Sequence, residues 1–100
     1  MNIKEVTVRL AMIIQEMDTE VYNMVIRDRK DKTKLSSITL NQVVTFSFIE
    51  ADENPKYTVK FMGEYVYVGY SLSPVLRQAV KYAQEYADNR AHYNKYRNSI

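Results

Sequence analysis

Residues 57–70 read YTVKFMGEYVYVGY, two alternating runs that meet around Gly63. Glycine at the first central position of a two-residue turn fits a type II′ hairpin, where that residue takes positive φ. Counting outward from a turn at Gly63 and Glu64 pairs Met62 with Tyr65, Phe61 with Val66, Lys60 with Tyr67, Val59 with Val68 and Tyr57 with Tyr70. One face then carries Tyr57, Val59, Phe61, Val66, Val68 and Tyr70 and is apolar. The other carries Thr58, Lys60, Met62, Tyr65 and Tyr67 and is mixed. A slip of one residue would exchange the two sets, so the pattern specifies both the pairing and the buried face.

Upstream, residues 51–56 (ADENPK) are polar, contain Pro55 and read as a turn. Over residues 35–49, Ile38, Leu40, Val44, Phe46 and Phe48 occupy alternate positions, interrupted only by Gln42. This segment reads as one long strand, or as two short ones with an irregularity near Asn41 and Gln42. Residues 29–34 (RKDKTK) form a charged hairpin connection, and residues 20–29, with Tyr22, Met24 and Ile26 alternating, form a strand with one wetter face. Four strands in this order most simply make an antiparallel meander.

Ile3, Val6, Leu10, Ile13, Ile14 and Met17 recur at three- and four-residue steps, the stripe of an amphipathic helix, and Asn2 followed by Glu5 resembles a capping box. Val6, Val8, Leu10, Met12 and Ile14 also alternate as a strand would; the length of the run and its Leu, Ala, Met, Gln and Glu favour the helix. At the other end Ser73 suits an N-cap and Pro74 the first helical position, where its missing N–H costs nothing. Leu76, Ala79, Val80, Ala83, Tyr86 and Ala87 then form a stripe for packing on the sheet. Residues 88–100 (DNRAHYNKYRNSI) keep helical character without strong apolar residues and read as a polar tail that projects from the body or touches it lightly. The expected fold is α+β over residues 1–100: an N-terminal helix, a four-stranded antiparallel meander and a long C-terminal helix packed on one face.

One hundred residues support one core, and 46% apolar with 26% charged residues is a globular balance that argues against disorder. With no cysteine, disulfides and thiolate metal sites are excluded, and the compartment leans to the cytoplasm. Glu5 and Arg9 interrupt any signal-like run near the start, and no apolar stretch approaches the roughly 20 residues of a membrane span. The net charge of +2 is too small to demand a polyanionic partner, but it is unevenly spread: basic groups gather at residues 27–34 and in the last helix, acidic ones at Glu50, Asp52 and Glu53.

Catalytic patterns are missing. His92 has no carboxylate or nucleophile at a telling spacing and reads as solvent-exposed. The serines stand in no nucleophile elbow, Gly63 and Gly69 make no phosphate cradle, and the acidic trio lacks the spacing and glycine of a calcium loop. No metal, cofactor or enzymatic activity is expected.

Nine tyrosines against three phenylalanines and no tryptophan favour surfaces that are both apolar and hydrogen-bonding. Singly, Tyr57, Tyr70 and Tyr86 read as core or rim residues. As a set, the tyrosines and their neighbouring cations suit a recognition surface. Its expected members are Lys60, Tyr65 and Tyr67 on the free sheet face, with Tyr82, Arg90, Tyr93, Lys95, Tyr96 and Arg97 on the last helix and tail. An aromatic patch there asks for cover by a protein partner, including a second copy of the chain. The leading expectation is therefore a non-enzymatic protein-binding module that self-associates as a homodimer, of the kind found among small accessory or inhibitory proteins of bacteria and their phages.

The alternative is a nucleic-acid-binding domain using Arg27, Arg29, Lys30, Lys32 and Lys34 of the basic loop with Arg77, Lys81 and the basic-aromatic tail. The order helix, antiparallel strands, closing helix is broadly similar to that of double-stranded-RNA-binding domains. Those domains carry a glycine-rich lead-in and a lysine cluster at the start of the last helix, where this chain has SLSPVLRQA with Arg77 alone. The likeness covers topology and none of the contact residues.

Overall fold

The structure is a computed structural model that describes residues 2–93. Helix α1 (Ile3–Glu16) is followed by strands β1 (Met24–Arg27), β2 (Leu35–Leu40), β3 (Val44–Ile49), β4 (Tyr57–Phe61) and β5 (Glu64–Gly69), then by helix α2 (Leu72–Asp88). The strands form one antiparallel sheet in the order β1-β2-β3-β4-β5. The architecture is the expected α+β meander between two helices, with five strands in place of four.

The extra strand comes from residues 35–49, where the chain reverses rather than running straight. Asn41 and Gln42 both lie in the left-handed region, at φ of 52° and 64°, and Leu40 pairs with Val44. The connection contains three residues, so Leu40 and Val44 stay in the same phase of the two-residue alternation. The hydrophobic pattern runs through the reversal without a break, which is why one long strand fits it equally well.

The β4–β5 hairpin also departs from expectation. Its turn residues are Met62 and Gly63, both with positive φ (52° and 88°), so Phe61 pairs with Glu64 in the manner of a type I′ turn. Moving the turn by one residue shifts the pairing by two and leaves the faces unchanged. A bulge opposite Val59 and Lys60 then adds one residue to β5: Lys60 pairs with Tyr65, Val59 with Tyr67 and Thr58 with Val68. Beyond the bulge the faces exchange. Tyr67 joins the fully buried Val59 on the helix side, and Val68 joins Tyr65 on the other.

Asn2 caps α1, its Oδ1 accepting the N–H of Glu5 at 2.9 Å. Ile3, Val6, Leu10 and Ile13 are buried, whereas Val8 and Met12, which a strand would have placed with Val6 and Leu10, are 62% and 64% exposed. Helix α2 starts earlier than expected: Ser71 is the N-cap, without a side-chain cap bond, and Pro74 is the third helical residue. Proline is tolerated there because the first four helical N–H groups have no intrahelical acceptor.

Both helices lie on one face of the sheet, α2 over β3, β4 and β5, α1 against α2 and β2. Between them and the sheet sit Phe46, Phe48, Ile38, Leu40, Leu76 and Val80, all at most 1% exposed. Gly69 permits the close approach of α2, since a Cβ there would meet Cγ2 of Val75 at 2.9 Å. The molecule is a slab of 40 × 31 × 21 Å, its thin dimension matching one helix layer on one sheet layer.

Candidate docking surface

The strand register assigns every side chain of the second sheet face. Val25 and Arg27 project there from β1; Leu35, Ser37 and Thr39 from β2; Thr45, Ser47 and Ile49 from β3; Thr58 and Lys60 from β4; and Tyr65 and Val68 from β5. Its middle is polar without charge, and Thr39 and Thr45 join their hydroxyls across the β2–β3 pair at 3.2 Å. Apolar side chains lie at its margins: Val25, Leu35, Tyr65 and Val68 are exposed, Tyr65 by 63%. Lys60 sets its ammonium 4.6 Å from the centre of the Tyr65 ring, its cross-strand partner in place of the expected Tyr67. Among the described residues no element covers this face.

A groove of about 540 Å³ opens at one end of it. Leu35, Ile49, Thr58, Val68 and Tyr65 line it, and Asp52 and Lys56 reach it from the connection before β4. This is the concave, mainly apolar lining with a few polar groups that binding sites share.

The remaining residues expected at the surface are dispersed. Tyr67 faces the helix layer, contrary to its expected place beside Tyr65 on the free face, because of the bulge. Tyr82 packs on Phe61, ring centres 5.3 Å apart, and Tyr93 turns back onto the same Phe61 at 5.4 Å and onto Tyr86 at 5.7 Å. The Tyr93 hydroxyl donates to Glu85 at 2.9 Å, and burial, aided by that carboxylate, raises its pKa. Arg90 lies over the Tyr22 ring at 4.2 Å and 3.9 Å from the Glu20 carboxylate. Lys95, Tyr96 and Arg97 lie outside the described residues.

The basic groups of the nucleic-acid alternative are divided between two places. Lys32 bridges Asp28 at 3.0 Å and Glu50 at 2.9 Å, and these two hydrogen-bonded carboxylates raise its pKa. Arg29 donates to the carbonyl of Leu35 at 3.3 Å, and Arg27, Lys30 and Lys34 are exposed around it. Glu50, which holds Lys32, also accepts the N–H of Ile3 at the start of α1. Arg77 is engaged by Glu16 at the opposite end of the same helix, at 3.1 and 3.3 Å, and Lys81 is exposed one turn further along α2. A 14-residue helix separates the two groups by about 20 Å at 1.5 Å per residue.

Sequence reasoning missed Val25, Leu35 and Ile49 as surface residues. Their signal was phase: each is apolar but out of step with the buried set Ile38, Leu40, Phe46 and Phe48. His92 is exposed, with its ring 5.6 Å from that of Tyr93. Among the described residues no three His, Cys, Asp or Glu side chains come together as metal ligands, and no helix is long and apolar enough to cross a membrane. No protein-family model, no curated protein and no solved structure matches this chain.

Proposed function

We propose that this chain is a non-enzymatic protein-binding module that self-associates through the bare face of its sheet. The observation that carries this reading is that both helices cover the same side, leaving Tyr65, Val68, Leu35 and Val25 exposed on the other. Five strands about 4.8 Å apart and roughly 20 Å long present a footprint of roughly 500 Å² before side-chain relief and rim loops are counted. A specific interface takes about 800 Å² from each partner, so the face supplies somewhat more than half of that and the rim loops and side-chain relief must supply the rest. Its charges are few and of both signs, with Arg27, Lys56 and Lys60 against Asp52, so that oppositely charged groups are available when the surface meets its own copy. Such a module acts by occupying a surface rather than by chemistry, as a small accessory or inhibitory protein does.

Sedimentation of the full chain from low micromolar to millimolar concentration tests the proposal. A dimer is expected, and Tyr65→Arg, which places a second cation beside Lys60 at the interface, is expected to shift it to monomer while the far-ultraviolet spectrum stays unchanged. A monomer across the whole range would refute self-association. The nucleic-acid alternative predicts a different result, binding to duplex or single strands that weakens steeply with salt.

A further inference from the structure

We infer that the self-association is isologous and centred on the groove at the end of the bare face, each copy seating its Tyr70 in the groove of the other; this rests on the reading above. Tyr70 is 72% exposed, the most exposed of the large apolar and aromatic side chains among the described residues, and it makes no hydrogen bond or ring contact with them. It stands two residues beyond Val68, which lines the groove. Gly69 faces Val75 of α2, and Tyr70 follows it at the bend between β5 and α2, at the end of the strand that supplies Val68 to the groove.

An exposed aromatic side chain and an apolar cleft thus lie at the same end of one strand. A two-fold axis passing between them delivers each anchor to the other copy's cleft, and a closed symmetric dimer follows. Tyrosine is the residue type that anchors such contacts, with an apolar ring to bury and a hydroxyl that can remain hydrogen-bonded at the rim. The charges at the groove point the same way. Asp52 and Lys56 both reach its lining, and under two-fold symmetry a contact between the carboxylate of one copy and the ammonium of the other is made twice. An apolar partner would instead leave both desolvated and unpaired. The anchor, the cleft and the opposite charges are all supplied by this one sequence, which favours a second copy over a foreign protein.

The chain has no cysteine, so a single introduced thiol reports on its own position. Val68 lines the groove two residues from Tyr70 and so lies at the centre of the inferred contact, whereas Val25 lies across the sheet on β1. Under mild oxidation, Val68→Cys should form a disulfide-linked dimer and Val25→Cys should remain monomeric on non-reducing gels. In sedimentation, Tyr70→Ala should weaken self-association at least about tenfold, as loss of a central aromatic anchor does. A dimer that crosslinks through Val25→Cys, or one that Tyr70→Ala leaves unchanged, would overturn this arrangement while leaving self-association intact. A wild-type chain that sediments as a monomer at every concentration would overturn both.

Discussion

Asn41 is fully buried at a left-handed φ of 52°, and it ties the approach to β1 to the β2–β3 turn. Its Oδ1 accepts the N–H of Tyr22 at 2.9 Å, its Nδ2 donates to the carbonyl of Glu20 at 3.0 Å, and its own N–H donates to Asn23 at 2.8 Å. A short amide side chain tolerates this backbone region and satisfies backbone groups that no strand partner reaches. Replacing it with alanine removes two buried side-chain hydrogen bonds and adds left-handed strain, a loss of about 3 kcal/mol in urea unfolding. Asn41→Gly should lose less, since it relieves the strain and not the missing bonds. The sequence marked Asn41 and Gln42 as irregular. That this irregularity is a full reversal depends on contacts with residues about twenty positions away, which local pattern does not contain.

Element packing depends on a second buried side chain, Glu50, which leaves β3 with only 6% of its side chain exposed. One carboxylate oxygen accepts the N–H of Ile3 at 2.7 Å, at the positive end of the α1 dipole, and the other takes Lys32 at 2.9 Å. The half-exposed Lys32 side of this arrangement contributes little; the bond to the helix terminus contributes more. Glu50→Ala should cost about 1–3 kcal/mol and speed amide exchange in the first turn of α1, with Glu50→Gln between it and the wild type and Lys32→Met nearly neutral. Helix α1 and its Asn2 cap were legible in sequence because both are local. The partnership of Glu50 with that helix, 47 positions apart, was not, and Glu50 stood out in sequence only as one of an acidic trio without the pattern of a calcium loop.

At the scale of the whole molecule, the groups with raised pKa predict how stability responds to alkali. Burial raises the Tyr57 hydroxyl, with Arg9 opposing in part; burial and Glu85 raise Tyr93; Glu50 and Asp28 raise Lys32. A group whose folded pKa exceeds its unfolded value contributes stability that is complete below the unfolded pKa and is lost as pH rises through the folded one. All three therefore act in the same direction, and the window opens near the ordinary tyrosine and lysine values, about pH 10. Urea midpoints should be level on their account from neutral pH to about 9 and fall beyond 10, with a shallower fall for Tyr57→Phe. Tyrosinate absorbance should show the Tyr57 ring ionising late, together with unfolding; a Tyr57 that titrates with the exposed tyrosines would contradict this account.

Short-range periodicity was legible in the sequence alone: two helices with their apolar stripes, a sheet with alternating faces, and a hairpin at Gly63. Those features depend on neighbours within a few residues, where side-chain spacing and backbone preference act directly. Tertiary structure alone decided that residues 35–49 reverse, since a three-residue loop keeps the alternation in phase. It also decided that a bulge opposite Val59 and Lys60 turns Tyr67 inward and Val68 outward, since one extra residue inverts the alternation beyond it. Above all, it put both helices on one side of the sheet. Alternation distinguishes two faces, but only the packing of distant elements settles which of them is covered and which is left bare.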